Sequence, residues 1–532
     1  MRKLILFVAV MMVGSFAWGQ APNIQWAKCY GGTLEDQPNS ISQTIDGGYI
    51  MAGYSKSNDG DVTGHHPCNC NGDSPDFWVA KINAIGALEW QKSLGGKYSE
   101  YALSIEQTND SGYIIAGYST SNDGDVSGHH GAIINSGDYW IVKLNSLGVI
   151  QWQKSLGGSD GDYATTIHQT SDGGYVIAGR SNSNDGDVTV HHDTISSNSD
   201  YWIVKLNSIG TIQWQKSFGG TYDDWTFDIQ QTKDSGYIVA GGASSNSGDI
   251  TGHLGTTDNP DYWVVKLNSI GVLQWQKSYG GTEWDNAKSI QQTIDGGYII
   301  VGESFSTDGD VTGNHGSNDL WVVKIDSTGV IQWQKSLGGS NTEYPNSIKQ
   351  TSDSGYVVVG YTASNDGDVT NLHDTTNNYT DYWVVKLNSG GVLQWQKTLG
   401  GIGFDMATSV LQTTDSGYIV AGRTFSNNCD VSGNHGSYDY WVVKLSKDSL
   451  VGINELPTSS ITISPNPTTG IITIKGITQP TVAVYNLMGQ KLVSSQDSKE
   501  VSLAQLPAGM YLVQVFNNDM ELEKSEKVIL NR

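Results

Sequence analysis

The sequence predicts an all-β chain: a seven-bladed β-propeller of four-stranded blades closed by the N-terminal strand, followed by a small β-sandwich. Three observations predict it. A tryptophan-containing segment occurs seven times, short apolar runs and turn signals fill the intervals, and the last copy lacks its fourth strand. A period this long, filled with short β-rich runs, indicates repeated four-stranded units rather than a solenoid of single turns.

Composition and charge exclude several classes of protein. The 532-residue chain is 37% hydrophobic and 10% aromatic, which is too rich for a disordered protein, and its 65 glycines favour turns over long helices. Residues 21–454 carry a net charge of −25. Because such a surface repels phosphate, nucleic acid is not an expected partner, whereas cations and neutral sugars are compatible with it.

The first 19 residues have the features of a secretory signal peptide. Arg2 and Lys3 precede an apolar run from Leu4 to Val13, and small residues follow before Gln20. This run is too short to span a bilayer, and no later run approaches the ~20 apolar residues of a spanning helix. We therefore expect export, cleavage before Gln20 and no transmembrane segment.

Export would place the cysteines in an oxidising compartment, where disulfides are permitted. The four cysteines are Cys29, Cys68, Cys70 and Cys429. Cys68 and Cys70 have half of a zinc-type spacing without a second pair nearby, which favours a local disulfide or free thiols over metal. Three pairings of the four cysteines stay open.

Two tryptophan series define the repeat, with turn signals between them. The first series lies in I-Q-W-Q-K-like segments 58 to 64 residues apart: Trp26, Trp90, Trp152, Trp214, Trp275, Trp333 and Trp395. The second lies in D-Y-W-V-V-K-L-like segments: Trp78, Trp140, Trp202, Trp263, Trp321, Trp383 and Trp441. In the third repeat, runs 163–170 and 174–180 predict a hairpin around a two-residue Asp172-Gly173 turn, and runs 200–207 and 211–218 predict two further strands.

The ends of the array predict how the ring closes. The last repeat finishes at 439–446 without its I-Q-W-Q-K strand, and the missing strand is 24–30 at the N-terminus. If that strand pairs as the outermost strand of the seventh blade, no edge is exposed. We assign residues 1–19 to the signal peptide, 20–446 to the propeller, 447–460 to a linker and 461–532 to a C-terminal β-sandwich.

Four motifs in the C-terminal segment resemble the type A sorting domain of the type IX secretion system. They are S-P-N-P-T-T-G at 464–470, V-Y-N-L-M-G-Q at 484–490, L-P-A-G-M-Y-L-V at 506–513 and K-V-I-L-N-R at 527–532. The motif residues are Pro465, Asn466, Pro467, Gly470, Tyr485, Gly489, Pro507, Gly509 and Tyr511. The resemblance implies that the type IX machinery exports the chain to the outer-membrane surface of a Bacteroidota-type cell or to the medium.

Two features recur in the longer loops, which are expected on one side of the ring. The first is an acid after each G-G pair: Asp36, Glu100, Asp162, Asp224, Asp285, Glu343 and Asp405. The second is a D-V or D-I loop followed by histidine, and ten of the eleven histidines lie there. A residue present in every blade most often has one blade-building task, and Asx turns would explain the acids.

Two metal hypotheses remain as alternatives, and no cofactor is certain. Calcium would bind to D-x-D loops, although the bidentate glutamate of an EF-hand is missing. Its candidate ligands are Asp59, Asp61, Asp123, Asp125, Asp185, Asp187, Asp308, Asp310, Asp366 and Asp368. Zinc would bind to the histidines, but one histidine per blade is poor spacing for a tetrahedral site.

Residues that break the repeat are more informative about function. Trp225 and Trp284 are expected in the loops before the first strands of blades four and five, where other blades have Tyr101, Tyr163 or Tyr344. Aromatic side chains of this kind stack on sugars or anchor a protein partner, and the alternative is packing between blades.

The function expected from the sequence is a non-catalytic binding module for glycan or protein. The sequence contains no G-x-S-x-G elbow, H-E-x-x-H pair or phosphate loop. A glycoside hydrolase needs only two suitably spaced carboxylates, so a polysaccharide-degrading enzyme that uses acids of the long-loop face is one alternative. A structural surface protein is another, and the sequence does not identify the ligand.

Overall fold

The computed structural model describes residues 20–67, 74–131, 136–192, 198–376, 379–448, 461–486, 490–517 and 522–531. Every regular element in these residues is a β-strand, so none of them provides an apolar helix that could cross a bilayer. The chain divides into two compact units between Asp448 and Ser449. The expected signal peptide and most of the expected linker lie outside the described residues.

The first unit consists of seven antiparallel sheets of four strands each. Strand β1 is Ile24–Tyr30. The first three sheets contain β2 Asp36–Gln43, β3 Tyr49–Ser55, β4 Asp76–Ile82, β5 Leu88–Leu94, β6 Glu100–Gln107, β7 Tyr113–Ser119, β8 Asp138–Leu144, β9 Ile150–Leu156, β10 Asp162–Gln169, β11 Tyr175–Ser181, β12 Asp200–Leu206 and β13 Ile212–Phe218.

The remaining four sheets follow in chain order and have the same layout. They contain β14 Asp224–Gln231, β15 Tyr237–Ala243, β16 Asp261–Leu267, β17 Leu273–Tyr279, β18 Asp285–Gln292, β19 Tyr298–Ser304, β20 Asp319–Ile325, β21 Ile331–Leu337, β22 Glu343–Gln350, β23 Tyr356–Thr362, β24 Asp381–Leu387, β25 Leu393–Leu399, β26 Asp405–Gln412, β27 Tyr418–Thr424 and β28 Asp439–Leu445. The seventh sheet lacks a fourth strand of its own in this part of the chain.

The N-terminal strand completes the seventh sheet and closes the ring. The strand order there is β1-β28-β27-β26, and β1 pairs antiparallel with β28 from Ile24 opposite Leu445 to Tyr30 opposite Tyr440. The first strands of neighbouring blades contact one another around the axis, including β2 with β26. The predicted seven-bladed propeller with N-terminal closure is therefore confirmed.

The hydrophobic core lies between neighbouring blades. Trp140 of the second blade packs on Phe77 of the first with ring centroids 4.5 Å apart, and both side chains are fully buried. A buried indole needs a partner for its N–H. In the first six blades that partner is a glutamine of the outermost strand, at 2.8 to 2.9 Å.

The inner hairpins differ from the predicted two-residue turn. In the third blade, Gly173 N–H donates to Thr170 O and Thr170 N–H donates to Gly174 O, which leaves a three-residue loop. Gly173 has φ +80°, the left-handed conformation that follows a type I turn in such loops. The longer loop forms because the Asp172 carboxylate accepts hydrogen bonds from the Thr170 hydroxyl and from Gly174 N–H.

A buried lysine anchors each of these hairpins. Lys205 in β12 has a side chain only 3% exposed, and its Nζ lies 3.0 Å from Asp172 Oδ2 and 2.9 Å from Leu206 O. The equivalent lysines are Lys81, Lys143, Lys266, Lys324, Lys386 and Lys444. Partial burial opposes ionisation, but these hydrogen bonds and the ammonium group lower the pKa of Asp172 to about 2.

The second unit is a sandwich of two sheets, ordered β29-β30-β33 and β32-β31-β34-β35. Its strands are β29 Thr462–Ser464, β30 Ile471–Lys475, β31 Thr481–Tyr485, β32 Lys491–Ser495, β33 Glu500–Ser502, β34 Gly509–Phe516 and β35 Leu522–Leu530. Both sheets contribute to one core, for example through Ile472 and Val513. Gly489 lies outside the described residues.

Motif residues of this sandwich hold its segments together. The Asn466 side chain donates to Lys527 O at 2.7 Å and accepts from Ile529 N–H at 3.0 Å, which fastens the first motif to β35. The Tyr511 hydroxyl donates to Pro507 O at 2.6 Å. The motifs therefore have a structural task inside the domain.

Candidate functional site

The acids that follow the G-G pairs are buried inside the blades. Asp36 Oδ2 accepts hydrogen bonds from Gly32 N–H at 2.7 Å and from the Ser57 hydroxyl at 3.0 Å, and the Ser55 hydroxyl donates to Oδ1. Burial raises the pKa of Asp36 to about 7 and that of Glu100 to about 8. These acids connect loops within the scaffold and are closed off from a ligand.

The D-x-D loops dock onto a neighbouring loop. Asp59 Oδ1 accepts Thr33 N–H at 2.8 Å, and Asp61 Oδ2 accepts Gly31 N–H at 3.3 Å. Equivalent bonds occur at Asp123, Asp125, Asp185, Asp187, Asp308, Asp366 and Asp368. Asp310 donates its backbone N–H to Gly280 O. The carboxylates therefore cap the backbone of a neighbouring loop, whereas the sequence suggested caps on their own loop.

In six of the seven blades a loop histidine pairs with the first aspartate of the third strand, whereas His253 of the fourth blade has its Nε2 2.9 Å from Asn259 O. His192 Nδ1 lies 2.8 Å from Asp200 Oδ2, and its Nε2 lies 3.2 Å from Asp249 Oδ2 of the next blade. Hydrogen bonds to these carboxylates raise the pKa of His192 to about 10. The same pairing with the strand aspartate occurs at His66, His130, His315, His373 and His435.

The geometry of these loops gives the metal hypotheses no support, and they stay predictions. In the described part of the chain, no three His, Cys, Asp or Glu side chains are grouped so as to hold a metal ion. Cys29 and Cys429 are free thiols. Cys68 and Cys70 lie outside the described residues.

A central channel runs between the seven inner strands, β2, β6, β10, β14, β18, β22 and β26. Its cavity of about 330 Å³ is lined by residues of all seven strands. The charged lining residues are His168, Asp228, Lys288 and Lys349. Because each inner strand runs from a long loop to a short hairpin, the second residue of each strand lies at the long-loop end of the channel.

Aromatic side chains form a continuous row at that end. The Tyr54 ring centroid lies 4.9 Å from that of Tyr101, the Tyr101 centroid 5.0 Å from Tyr118, and the Tyr118 centroid 4.9 Å from Tyr163. All four rings are half-buried. Tyr101 and Tyr163 lie on the inner strands β6 and β10, whose Leu103 and Thr165 line the cavity, and Tyr54 and Tyr118 lie on the adjacent strands β3 and β7. The row therefore lies at the long-loop end of the inner strands that surround the channel.

We name this opening the channel mouth. It comprises Tyr54, Tyr101, Tyr118, Tyr163, Arg180, Trp225, Trp284, Tyr344 and Tyr361.

All five predicted ligand-binding aromatics lie at the channel mouth. Trp225 is the second residue of β14 rather than a loop residue, because pairing already begins at Asp224. Trp284 precedes β18, and the two indole centroids are 6.1 Å apart. Tyr344 stacks on Tyr361 at 5.0 Å. The sequence analysis identified these five residues but not the neighbouring rings that they contact.

A row of charged side chains lies in the channel. His168 Nδ1 is 2.9 Å from Glu106 Oε2, and its Nε2 is 3.9 Å from Asp228 Oδ1. Asp228 Oδ2 also accepts hydrogen bonds from the Ser289 hydroxyl and Ile290 N–H, both at 3.0 Å. Burial favours the neutral imidazole, but the two carboxylates outweigh it and raise the pKa of His168 to about 9.

Sequence reasoning missed this charged row, although the repeat contains a signal for it. Where the fourth blade has Asp228, the other blades have serine or threonine: Ser40, Ser104, Thr166, Ser289, Ser347 and Ser409. The position of His168 holds a different residue type in nearly every blade. A position that varies between otherwise matching blades is not needed to build the blade. A blade-by-blade comparison of the sequence would therefore have identified the positions of the charged row.

Comparison with known proteins gives a family for the C-terminal segment and one relative for part of the chain. Residues 462–531 match the secretion system C-terminal sorting domain. The regulatory protein FlaEY of Caulobacter vibrioides is 24% identical over 229 residues, which are 41% of this chain and 23% of that protein. The match thus spans less than a quarter of the relative's length.

The search of solved structures gives matches of low similarity. A fungal alcohol oxidase of the AA5 family in complex with copper is 10% identical, with a TM-score of 0.45 over 96% of this chain and 100% of that one. The Pan2 WD40 domain of Neurospora crassa is 8% identical, with a TM-score of 0.41 over 76% and 88% of the chains. Sqt1 of Chaetomium thermophilum is 9% identical, with a TM-score of 0.40 over 81% and 99%.

The matched segment coincides with the second compact unit, and the first unit is the closed ring of seven repeats. The chain is therefore a β-propeller repeat protein whose residues 462–531 match the secretion system C-terminal sorting domain, and this match indicates export through type IX secretion to the cell surface or the medium.

Proposed function

We propose that the propeller is a non-catalytic glycan-binding module and that the glycan binds at the channel mouth. The observation that carries the proposal is the row of half-buried aromatic rings beside an open cavity of about 330 Å³. Sites for small ligands are concave, with aromatic walls and a few placed polar groups. The channel mouth has both properties.

The chemistry of the mouth suits a sugar. Aromatic rings have a negative face, on which the C–H groups of a sugar ring pack favourably. Polar groups for hydroxyls stand beside the rings: Tyr54 Oη donates to Glu35 Oε1 at 2.8 Å, and Arg423 Nη1 donates to Gln37 Oε1 at 2.6 Å. Sugar hydroxyls and ring faces would thus find partners at the same opening.

Packing of the blades also favours binding by holding the aromatic side chains in place. Each contact in the tyrosine row is either within one blade or between two adjacent blades, so packing within and between the first three blades fixes the whole row. A preorganised site loses less conformational entropy when a ligand binds.

Binding of a polysaccharide and glycan panel to residues 20–532 tests the proposal. The variants are Trp225→Ala, Trp284→Ala and Tyr101→Ala, each expected to weaken binding at least tenfold, because aromatic anchors commonly contribute about 2 kcal/mol or more. Tyr222→Ala is the matched control, since Tyr222 is 44% exposed on the same loop side but outside the channel mouth.

Each outcome of the panel has a distinct meaning. Saturable binding without released sugar, lost in the mouth variants and kept in the control, supports the proposal. Released sugar would favour the glycoside hydrolase alternative, and binding that disappears in chelator would favour the calcium hypothesis. Failure to bind any glycan would contradict the proposal and favour a protein ligand or a structural role.

A further inference from the structure

Cationic side chains outside the repeat pattern concentrate around the channel. Two lysines recur in every complete blade, one that anchors the hairpin and one on the outermost strand. The propeller cations outside these two positions are Lys56, Lys97, Arg180, Lys233, Lys288, Lys349 and Arg423. Five of the seven line the channel or flank its mouth, and only Lys97 and Lys233 lie elsewhere.

Arg180 is the cation of the channel mouth that has no acidic partner. Its Cζ lies 5.0 Å from the ring centroid of Tyr163, at the end of the tyrosine row, and the residue is exposed. Within the described residues Arg180 forms no ion pair, whereas Arg423 at the equivalent position lies 3.5 Å from Glu35. Stacking holds the planar guanidinium in place while its N–H donors stay available.

The cations inside the cavity all lie near acidic groups. Lys288 is 3.3 Å from Glu303, and His168 lies between two carboxylates. Lys349 lines the cavity, and its charge acts on Asp228, whose pKa His168 and Lys349 together lower against the effect of burial. Among the cations of the channel and its mouth, Arg180 is thus the one without a nearby acidic group in the described residues, in a domain that is otherwise strongly acidic.

We infer that the glycan bound at the channel mouth ends in an acidic sugar, a uronate, whose carboxylate pairs with Arg180. This inference rests on the proposed glycan-binding function. Arginine binds carboxylates through two parallel hydrogen bonds, a geometry that a neutral hydroxyl does not match. The sugar ring behind the carboxylate would then lie against the tyrosine row.

The overall charge limits the ligand to one with few anionic groups. Residues 21–454 carry a net charge of −25, which repels a polyanion lying across the surface. At physiological salt such repulsion is screened beyond about 8 Å, so a single carboxylate close to Arg180 responds mainly to the local cations. A terminal uronate satisfies both conditions, whereas a densely sulfated or phosphorylated chain does not.

Titration calorimetry on residues 20–532 tests the inference. The probes are glucose, galactose and mannose tetrasaccharides, each in a neutral form and with the terminal residue oxidised to the uronate. We expect the uronate form of at least one sugar to bind tenfold or more tightly, about 1.4 kcal/mol. Arg180→Gln should reduce this preference below twofold, and Arg180→Lys should retain part of it.

Lys233→Gln is the matched control. It removes the same charge as Arg180→Gln, but Lys233 lies in a short hairpin at the other end of the channel. Melting temperatures verify that each variant is folded. Equal binding of the neutral and uronate forms would overturn the inference and leave the proposed function intact. A preference for the uronate form that survives Arg180→Gln would have the same consequence. Failure of both forms to bind would overturn the proposed function and the inference with it.

Discussion

At the scale of single residues, the buried indole N–H of Trp441 differs from its equivalents in the other blades. In the first six blades the buried tryptophan of the third strand donates to a glutamine, as Trp202 does to Gln215 Oε1 at 2.9 Å. The seventh blade takes its outermost strand from the N-terminus, and that strand has Ala27 at the glutamine position. Trp441 Nε1 is buried and has no hydrogen-bond acceptor among the described residues.

Ala27→Gln is therefore expected to stabilise the propeller. The new amide oxygen would accept the Trp441 N–H, and an unsatisfied buried donor costs about 1–3 kcal/mol. A gain of about 1 kcal/mol in the free energy of unfolding should be visible in chemical denaturation.

The reverse change in another blade is the control. Gln215→Ala removes the acceptor of Trp202 and should destabilise the protein by a similar amount. If Ala27→Gln left the stability unchanged while Gln215→Ala lowered it, the exception at Trp441 would have another origin.

At the scale of elements, strand β1 has more effect on the fold than its seven residues suggest. It supplies the edge strand of the seventh blade and packs Ala27 and Ile24 against that blade's core. Without it, β28 would present a free edge, and open edges favour aggregation and loss of closure. The first and last parts of the propeller are thus joined by one strand pairing.

Deletion of residues 20–30 should open the ring. We expect a lower melting temperature and a larger radius in small-angle scattering, because β28 loses its partner along its whole length. A peptide of residues 20–31 added in trans should restore the melting temperature in a concentration-dependent way, since binding to the folded state stabilises it.

A peptide in which Ala27 and Ile24 are both replaced by aspartate controls for nonspecific effects, because it cannot bury those positions. A deletion variant as compact and as heat-stable as the parent would show that closure by β1 is dispensable.

At the scale of the whole molecule, two sets of carboxyl groups respond oppositely to pH. The buried acids after the G-G pairs have pKa values raised by burial, to about 7 for Asp162 and Asp285 and about 8 for Glu100. The hairpin aspartates beside the buried lysines have lowered values, about 2 for Asp110 and Asp234. Because each of these carboxyl groups occurs once per blade, its effect on the pH dependence of stability adds up over the seven blades.

Stability is expected to peak in acidic solution near pH ~4 and to fall as pH rises from there towards 8. A raised folded-state pKa contributes stability that is complete below the unfolded value of ~4 and is lost as pH rises through 6 to 8. A lowered pKa contributes stability that is present above ~4 and is lost as pH falls towards 2. The melting temperature at pH 5.5 should therefore be higher than that at pH 8 by about 2 °C or more.

Glu100→Gln should flatten this dependence, because it removes the group whose pKa is raised to about 8. The exposed Asp258→Asn change should leave the slope as it is. A melting temperature that increases from pH 5.5 to pH 8 would contradict the assignment of the buried acids.

The sequence determined the features that repeat or pair locally. The two tryptophan series, the turn signals and the strand 24–30 predicted seven closed blades, and the C-terminal motifs predicted the sorting domain. These inferences hold because strand patterning and turn chemistry act over a few residues and every blade restates them. The loop Thr170–Gly174 shows where local patterns fail to predict the structure. Its three-residue length, rather than the predicted two, depends on hydrogen bonds of the Asp172 side chain.

Only the tertiary structure decided which residues face a common space. Glu106, His168 and Asp228 are about sixty residues apart in sequence and meet because neighbouring inner strands surround one channel. In the same way, packing between blades decides that Asp36 is buried while Arg180 is exposed. Burial and convergence are properties of the closed ring, so no single repeat contains the information that defines the channel mouth.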